Sequence, residues 1–294
     1  MQLVDGHHHL WDLDAVDYPW LRARGERRFF GDPTSIQRNY SVSALRADAA
    51  GFEVLQSVHV QVGCALGMEL AETQWLDSVG DRDNLPSAIV AGADLTRPDL
   101  DEILAIQSTS RRLRGIRQIV GREPADDART GCGRVLDDPA FLRGLQTLTA
   151  HGLSFDLQLT VPQMGRVADL FAKVPELPVA LCHCGSPWDQ SLSGLRAWQT
   201  GLARLAQLPR LVCKVSGLSM FDPRWTTERF VSRVCTVVNI FGPERCLFGS
   251  NFPVDGLHRS YGEIGAATHA ALDGFGVDAV NSVFKATARR FYRL

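Results

Sequence analysis

Short apolar runs of strand length alternate with segments of helical period along almost the whole chain, and this alternation restricts the fold more than any other feature. The predicted strands cover residues 3–5, 54–61, 87–93, 113–119, 153–159, 179–183, 211–216 and 246–250, and the helical patterns cover residues 68–79, 98–109, 139–150, 162–173, 195–208, 226–241 and 261–272. Strands that alternate with helices pair in parallel through right-handed crossovers. Eight such strands in 294 residues predict an α/β fold with one domain over residues 1–294, a closed (β/α)8 TIM-like barrel.

Two further segments complete this prediction. A long aromatic and basic segment, which contains Tyr18-Pro19-Trp20 and Arg27-Arg28-Phe29-Phe30, separates the first two strands. We expect this extended loop to fold over the mouth of the barrel. Residues 277–291 predict a C-terminal helix. The alternative fold is a doubly wound open sheet, but that fold needs a glycine-rich phosphate turn after the first strand, and Gly6-His7-His8-His9 is not such a turn.

The charge balance argues against one large class of function. The chain has 31 lysines and arginines, 33 aspartates and glutamates and a formal net charge of -2, so it lacks the basic surface of a nucleic-acid-binding protein. We find no apolar run of transmembrane length and no signal peptide. The seven cysteines are scattered, as is typical of reduced thiols in cytoplasmic proteins. We therefore expect a cytoplasmic protein that acts on a small molecule, with no nucleic-acid or membrane partner; a homo-oligomer is left open.

Polar residues recur at the late ends of the predicted strands, where the chemistry of a barrel is located. Side chains alternate between the two faces of a strand, and Phe155, Leu157 and Leu159 form the apolar, helix-facing side of the fifth strand. Asp156 and Gln158 should therefore point inward. The same reasoning brings further polar residues of the other strands to one rim: His59, Gln61, Arg117, His183, Lys214, Ser216 and Asn251. This convergence predicts a functional site.

Three histidines are candidate metal ligands. His7 and His9 lie two residues apart on an extended segment, so both can face one ion while His8 points elsewhere; a structural histidine pair is the alternative. His183 ends the sixth strand and is either a third ligand or a neutral acid–base group. We expect the flanking thiols of Cys182 and Cys184 to point away from His183.

Two cations inside apolar strands are candidate substrate-binding residues. Lys214 is one of only three lysines among 31 cationic residues. Its ammonium group could bind a substrate carboxylate, form a Schiff base, or form a structural ion pair with Asp156. Arg117 offers a two-pronged donor for a carboxylate. His59 is interpreted as a hydrogen-bonded core histidine. The chain has no GxSxG or P-loop motif, which argues against serine hydrolases and nucleotide-dependent enzymes.

On these residues the chain resembles the amidohydrolase superfamily, and within it the amidohydrolase 2 branch of sugar-lactone and dicarboxylate lactonases. The resemblance covers nearly the whole chain, and its anchors are Asp5-Gly6-His7-His8-His9-Leu10-Trp11, Tyr18-Pro19-Trp20, Leu113-Arg114-Gly115-Ile116-Arg117, Phe155-Asp156-Leu157-Gln158, Cys213-Lys214-Val215-Ser216-Gly217-Leu218 and Phe248-Gly249-Ser250-Asn251-Phe252-Pro253-Val254. It implies a distorted (β/α)8 barrel with a metal site.

The resemblance also implies how far the metal site is reduced. The fullest sites of the superfamily add a carboxylated lysine after strand four, histidines after strands five and six, and an aspartate after strand eight. Here His7, His9 and His183 match, whereas Arg117-Gln118, Gln158 and Asn251 stand at the other positions. The resemblance therefore implies one weakly held divalent ion, zinc by preference, with metal-independent activity as the alternative.

The function implied by the resemblance is opening of a small polar or anionic lactone, from sugar-acid or aromatic catabolism, by attack of water on the ring carbonyl. The implied catalytic residues are His183, Asn251 and Asp255, and the substrate-binding residues are Gln61, Arg117, Gln158 and Lys214. Asn251 can orient water but cannot accept its proton, so the base is Asp255, His183 or a metal-bound hydroxide. Alternatives are a metal-dependent non-redox decarboxylase of an unsaturated or aromatic acid, an amide hydrolase, and a catalytically lapsed, metabolite-binding barrel.

Overall fold

Parallel strands form the centre of the molecule. The computed structural model describes residues 1–123, 127–128 and 130–294, and in that part of the chain eight strands pair in the order β1 to β8. Their bounds are Gln2–His8 (β1), Glu53–Val60 (β2), Ala88–Gly92 (β3), Leu113–Arg117 (β4), Ser154–Leu157 (β5), Val179–Leu181 (β6), Leu211–Val215 (β7) and Cys246–Phe248 (β8). The predicted (β/α)8 barrel is confirmed.

The barrel closes where the chain leaves β8 and meets the end of β1. The Asn251 amide nitrogen donates to the His7 carbonyl oxygen at 2.7 Å, and the His9 amide donates to the Phe252 carbonyl at 2.8 Å. The Ser250 amide donates to the Asp5 carboxylate at 2.9 Å. Because these contacts join the two ends of the sheet, they bring His7, His9 and Asn251 side by side at the carboxyl rim.

Helices surround the strands. Their bounds are Pro19–Arg22 (α1), Val42–Asp48 (α2), Glu69–Asp83 (α3), Leu100–Gln107 (α4), Pro139–Ala150 (α5), Met164–Phe171 (α6), Leu192–Leu205 (α7), Leu218–Phe221 (α8), Thr227–Phe241 (α9), Tyr261–Leu272 (α10), Val277–Asn281 (α11) and Thr287–Tyr292 (α12). Helices α5 and α10 match the predicted bounds, because strong caps fix their first residues: Asp138 accepts from the Ala140 amide, and Ser260 forms a capping box with Glu263. None of the described helices combines the length and apolarity needed to cross a bilayer.

Several strands end earlier than the sequence predicts. Strands β4, β5 and β6 stop at Arg117, Leu157 and Leu181, whereas the predicted ends are residues 119, 159 and 183. The residues beyond these ends include Leu159 and Cys182, which are fully buried, so an apolar pattern continues into the connecting segments. As a result, several polar residues of the rim lie in turns just beyond the strands, where strand alternation no longer fixes the direction of a side chain.

Part of the barrel interior is an apolar cluster of strand residues, against which Ala288 and Tyr292 of α12 pack. Its members are Val4, Val58, Val60, Ala88, Val90, Ala180, Val212 and Leu247. The predicted 277–291 helix consists of α11, a π-helical turn Ser282–Ala286, and α12. The extra residue in each π turn rotates the side chains that follow, and Tyr292 lies against the barrel interior.

The extended segment between β1 and β2 covers the carboxyl end of the barrel, as predicted. Backbone hydrogen bonds between Trp11 and Tyr40 tie its two ends together, and the Trp20 indole donates to the Val62 carbonyl at 2.9 Å. Arg28 and Gly31 form a tight antiparallel bridge, so Phe29 and Phe30 lie at the tip of a turn. This segment supplies one wall of the cavity described next.

Candidate active site at the carboxyl end of the barrel

A cavity of about 870 Å³ opens at the carboxyl end of the strands. Predicted site residues form a polar surface at its floor: His9, Arg117, Gln158, His183 and Asn251. Charged residues line another part of it: Glu26, Arg27, Arg28, Arg122 and Glu123. Apolar and aromatic side chains form much of the rest: Trp11, Trp20, Phe29, Phe30, Val62, Ile119, Met220 and Val254. A large apolar cavity with a few converging polar groups is the usual form of a small-molecule site.

His7 lies buried beside this polar surface. Its ring centroid is 5.2 Å from that of His9 and 4.6 Å from that of His183. Neither of its ring nitrogens has a hydrogen-bond partner among the described residues, although both are buried. Burial, helped by the nearby Lys214 ammonium, holds the pKa of His7 well below its ordinary value. A neutral imidazole with an unused lone pair is the chemical form that binds a metal ion, so His7 fits the predicted ligand role.

The tautomer of His9 is fixed by its surroundings. Its Nδ1 lies 2.7 Å from the Val60 carbonyl oxygen, which can only accept, so Nδ1 carries the hydrogen. Burial lowers the pKa of His9 to about 3, and the neutral ring therefore has a lone pair on Nε2. That lone pair faces Asn251 Oδ1 at 3.3 Å. A cation between the two atoms would satisfy both of them, as would rotation of the amide so that its NH2 group donates.

Asn251 separates His9 from Asp255. The Asn251 Nδ2 donates to Asp255 Oδ1 at 2.9 Å, and burial raises the pKa of Asp255 to about 7. Asn251 has φ 56°, in the left-handed region that asparagine tolerates better than most residues. The Asp255 carboxyl group thus lies behind Asn251, in contact with its amide. This position suits a residue that orients Asn251, whereas the sequence hypothesis of a direct base requires contact with the attacking water.

His183 follows β6 in a left-handed conformation, with φ 54°. Its Nδ1 lies 3.0 Å from Ser216 Oγ, which leaves Nε2 for other partners. Gly217, at φ 68°, packs against the ring, and a Cβ there would collide with His183 Nδ1. Burial, together with the Arg117 charge, holds the pKa of His183 well below its ordinary value. The loop geometry therefore presents a neutral imidazole to the cavity.

The expected direction of Cys182 is wrong. Val179 and Leu181 pack in the helix-facing core, so alternation along β6 turns Cys182 inward. One ligand atom each from Cys182, His7 and Asp156 lies within 4.8 Å of the others. Burial raises the pKa of the Cys182 thiol to about 12, and a bound cation would have to displace its proton. Sequence reasoning missed this set because it extended the strand through residue 183.

Lys214 forms an ion pair below the cavity. Its Nζ lies 2.5 Å from Asp156 Oδ2 and 2.9 Å from the Gly6 carbonyl oxygen, and both charged side chains are fully buried. The Tyr292 hydroxyl donates to Asp156 Oδ1 at 2.8 Å. These contacts match the structural ion pair given above as an alternative, and they leave the ammonium group engaged with protein atoms rather than with a substrate.

Two further predicted rim residues, His59 in β2 and Gln61 just after it, are engaged with protein atoms. The side-chain oxygen of Gln61 accepts from the Gly63 amide at 2.6 Å. Its backbone carbonyl oxygen accepts from the Arg117 guanidinium. His59 Nδ1 accepts from the Leu10 amide at 3.1 Å, in agreement with a core histidine. Strand β2 places Val58 and Val60 in the barrel interior, which turns His59 the other way.

Arg117 is the buried cation of the polar surface. Its Nη1 lies 3.4 Å from Gln158 Oε1, and its Nε has no hydrogen-bond partner among the described residues. Within the described part of the chain, no carboxylate forms an ion pair with it. A buried charge without a counter-ion is costly, and a guanidinium binds carboxylates and other oxygens through paired donors. Arg117 is therefore placed to hold an oxygen of a bound molecule.

A family model described as amidohydrolase matches residues 4–294. The chain belongs to the amidohydrolase family. It is 35% identical over 294 residues to the uncharacterized protein y4mH of Sinorhizobium fredii, covering 99% of this chain and 98% of the relative. It is 28% identical over 303 residues to an L-fucono-1,5-lactonase of Burkholderia multivorans, covering 99% and 96% of the two chains.

A solved structure supports the fold and a metal site in general terms. An amidohydrolase of Burkholderia multivorans with bound zinc superposes on this amidohydrolase with a TM-score of 0.83 at 27% identity, and the match covers 100% of each chain. The unpartnered nitrogens of His7 give the present chain a suitable donor for a divalent ion. The family and these relatives identify the chain as a hydrolase.

Proposed function

We propose that this amidohydrolase opens a polar or anionic lactone by attack of water on the ring carbonyl. The observation that carries the proposal is the buried Arg117 guanidinium, without a carboxylate partner among the described residues, at the floor of a cavity that also presents neutral His9 and His183. The 28% identity to an L-fucono-1,5-lactonase supports the same reaction class. Water is the proposed nucleophile, and burial raises the pKa of the cavity-lining Cys64 thiol to about 12, which disfavours attack by its thiolate.

Arg117 and Gln158 bind the substrate in this proposal. Their contact at 3.4 Å leaves the Arg117 Nε free for an oxygen of the lactone. A fixed cation beside the carbonyl stabilises the negative charge that develops on its oxygen when water adds. The same guanidinium can hold a ring carboxylate or hydroxyl group, which accounts for a preference for oxygen-rich lactones. Gln61 assists through its carbonyl oxygen, which orients the guanidinium.

In the metal-free site of this proposal, His183 takes the proton from the attacking water and returns it to the ring oxygen when the bond between that oxygen and the carbonyl carbon breaks. The hydroxyl of Ser216 can accept from Nδ1 at 3.0 Å, and Nε2 then accepts a hydrogen bond from the attacking water. Burial disfavours the imidazolium ion, but a negative charge forming on the neighbouring carbonyl oxygen offsets that cost. Asn251 orients the water through its amide, and Asp255 orients Asn251 in turn.

A weakly held divalent cation, zinc by preference, fits His7, His9 and His183, and it would supply a Lewis acid that polarises the carbonyl. No carboxylate belongs to this ligand set, so the cation is less well neutralised than in sites with an aspartate. The ligand atoms of His7, Asp156 and Cys182 lie within 4.8 Å of one another, but Asp156 is already bound by Lys214 and Tyr292.

The free cysteines support a cytoplasmic location.

Hydrolysis of a lactone panel, followed by acid release with and without a chelator, tests the proposal. We expect turnover of carboxylated or hydroxylated lactones, and a fall of about 10²-fold or more in kcat/KM for Arg117→Met. Arg210→Met, an exposed arginine on the β7 side of the barrel, is the matched control and should keep full activity. Carbon dioxide release from unsaturated acids without lactone hydrolysis would instead support the decarboxylase alternative.

A further inference from the structure

Six aromatic side chains form a continuous cover over the cavity, which we call the aromatic canopy: Trp11, Trp20, Phe29, Phe30, Trp188 and Phe221. Consecutive ring centroids along it lie 5.0–5.9 Å apart. Three different loops contribute, because Trp188 follows β6 and Phe221 ends α8 after β7. Trp11, Trp20, Phe29 and Phe30 line the cavity itself.

Hydrogen bonds fix the canopy in place. The bridge between Arg28 and Gly31 is closed by hydrogen bonds of 2.8 and 2.9 Å, and the ring of His258 donates to the Phe30 carbonyl oxygen at 2.7 Å. Trp188 donates from its indole nitrogen to the Arg122 carbonyl at 2.6 Å. A rigid aromatic surface loses little conformational entropy when a ligand packs against it.

The canopy offers a binding surface that differs in chemistry from the polar floor. Trp20, Phe29 and Phe30 are only half-buried, so ring surface remains for a ligand. Aromatic rings gain most from other rings in edge-to-face or offset contacts. Charged residues also line the cavity near the canopy: Glu26, Arg27, Arg28, Arg122 and Glu123. Of these, Glu26 and Arg27 are exposed to solvent. A lactone held at the floor by Arg117 would therefore direct a substituent toward the rings.

We propose that the substrate is a lactone with a planar apolar substituent, such as an aryl group, that packs beneath the aromatic canopy while the lactone ring occupies the polar floor. This inference rests on the proposed lactone hydrolysis and adds the substrate class to it. The large cavity, about 870 Å³, accommodates both parts, since drug-sized ligands occupy cavities of roughly 300–1,000 Å³.

Two lactones that differ in one substituent test the inference. 5-Phenyl-δ-valerolactone and δ-hexalactone share a six-membered ring and carry phenyl or methyl on the carbon that bears the ring oxygen. We expect kcat/KM, corrected for the rates of hydroxide hydrolysis, to favour the phenyl compound by about tenfold or more, as one good aromatic contact supplies. The preference should lie mainly in KM, because the substituent is remote from the carbonyl.

Variants of the aromatic canopy test whether its rings cause the preference for the phenyl lactone. Phe29→Ala and Phe30→Ala should each lower kcat/KM for the phenyl lactone about tenfold and for the methyl lactone less than threefold. Phe29→Leu keeps apolar volume and should show the same selectivity change in a fully folded protein. Phe275→Ala, which lies beyond α10 and outside the cavity, is the matched control and should leave the preference unchanged.

The outcomes separate the two proposals. Hydrolysis of both lactones at equal corrected rates, or equal losses for both in the canopy variants, overturns the aryl assignment and leaves lactone hydrolysis intact. Failure to hydrolyse these two compounds and every member of the wider lactone panel overturns the proposed function, and the aryl assignment with it.

Discussion

Replacement of Lys214 by methionine tests whether the buried ammonium group stabilises the barrel or binds substrate. Methionine keeps the unbranched apolar stem and a similar volume, so packing changes little. The charge and its contacts are lost: 2.5 Å to Asp156 Oδ2 and 2.9 Å to the Gly6 carbonyl oxygen. Within the described part of the chain, the Asp156 carboxylate then keeps the hydrogen bonds from the Tyr292 hydroxyl.

The size of the effect follows from the complete burial of both partners. Removal of one member of a buried ion pair costs about 3–5 kcal/mol, because it leaves an uncompensated charge. Globular proteins are stable by about 5–15 kcal/mol, so Lys214→Met should lose a large part of the free energy of unfolding. Asp156→Asn should be comparably harmful, and the double variant should lose at least about 2 kcal/mol less than the sum of the two single losses.

Urea unfolding followed by circular dichroism measures these differences, with Lys173→Met as the control because Lys173 is exposed. We expect the control to change stability by less than about 0.5 kcal/mol. Lys214→Met at wild-type stability with a raised KM would show that the ammonium group contacts substrate, and our assignment of a structural pair would then be wrong. Additive losses in the double variant would likewise contradict direct coupling.

Three further predictions concern the site. Burial raises the Asp255 pKa from 3.8 to about 7, so the folded state loses stability as pH rises through this range. The Asp255→Asn variant has no such loss. Its free energy of unfolding relative to wild type should therefore rise by up to about 4 kcal/mol between pH 4 and pH 8, measured by urea titration. Zinc measured by elemental analysis should be substoichiometric and fall to background after chelation, and Cys182→Ser should leave it unchanged if His7, His9 and His183 are the ligands. Gly217→Ala should displace His183 and lower kcat at least about tenfold in steady-state assays, with unchanged circular dichroism.

The order of the barrel could be predicted from the sequence because each strand–helix unit carries its own local signal. The inward direction of Asp156 and Lys214 could also be predicted, since β5 and β7 are regular strands that alternate without interruption. In these strands one face is continuously apolar and packs on helices. The ion pair between Asp156 and Lys214 follows from that shared direction.

Strand alternation failed where the interior face of a strand is apolar or where the backbone turns. In β2 the interior positions are the apolar Val58 and Val60, so the polar side chain of His59 did not mark the interior. Beyond β6 the left-handed conformation of His183 re-aims its ring, and Cys182 takes the inward position instead. Positive φ at a histidine has no signature in a single sequence. The space for the His183 ring is provided by Gly217, which follows the neighbouring strand β7.

Asn251 stands where the family pattern has an aspartate, and its neighbours form hydrogen bonds that suit the amide. An aspartate there would stand beside the Asp255 carboxyl group, with oxygens about as close as the present 2.9 Å hydrogen bond, and two such charges repel unless one is protonated or a cation lies between them. The amide removes the repulsion, donates to Asp255 and turns an oxygen toward the lone pair of His9 Nε2. The carboxyl group at this place in the site is that of Asp255, which lies behind Asn251. Because no carboxylate stands at residue 251, we propose that the fixed cation of Arg117 stabilises the carbonyl oxygen of the substrate.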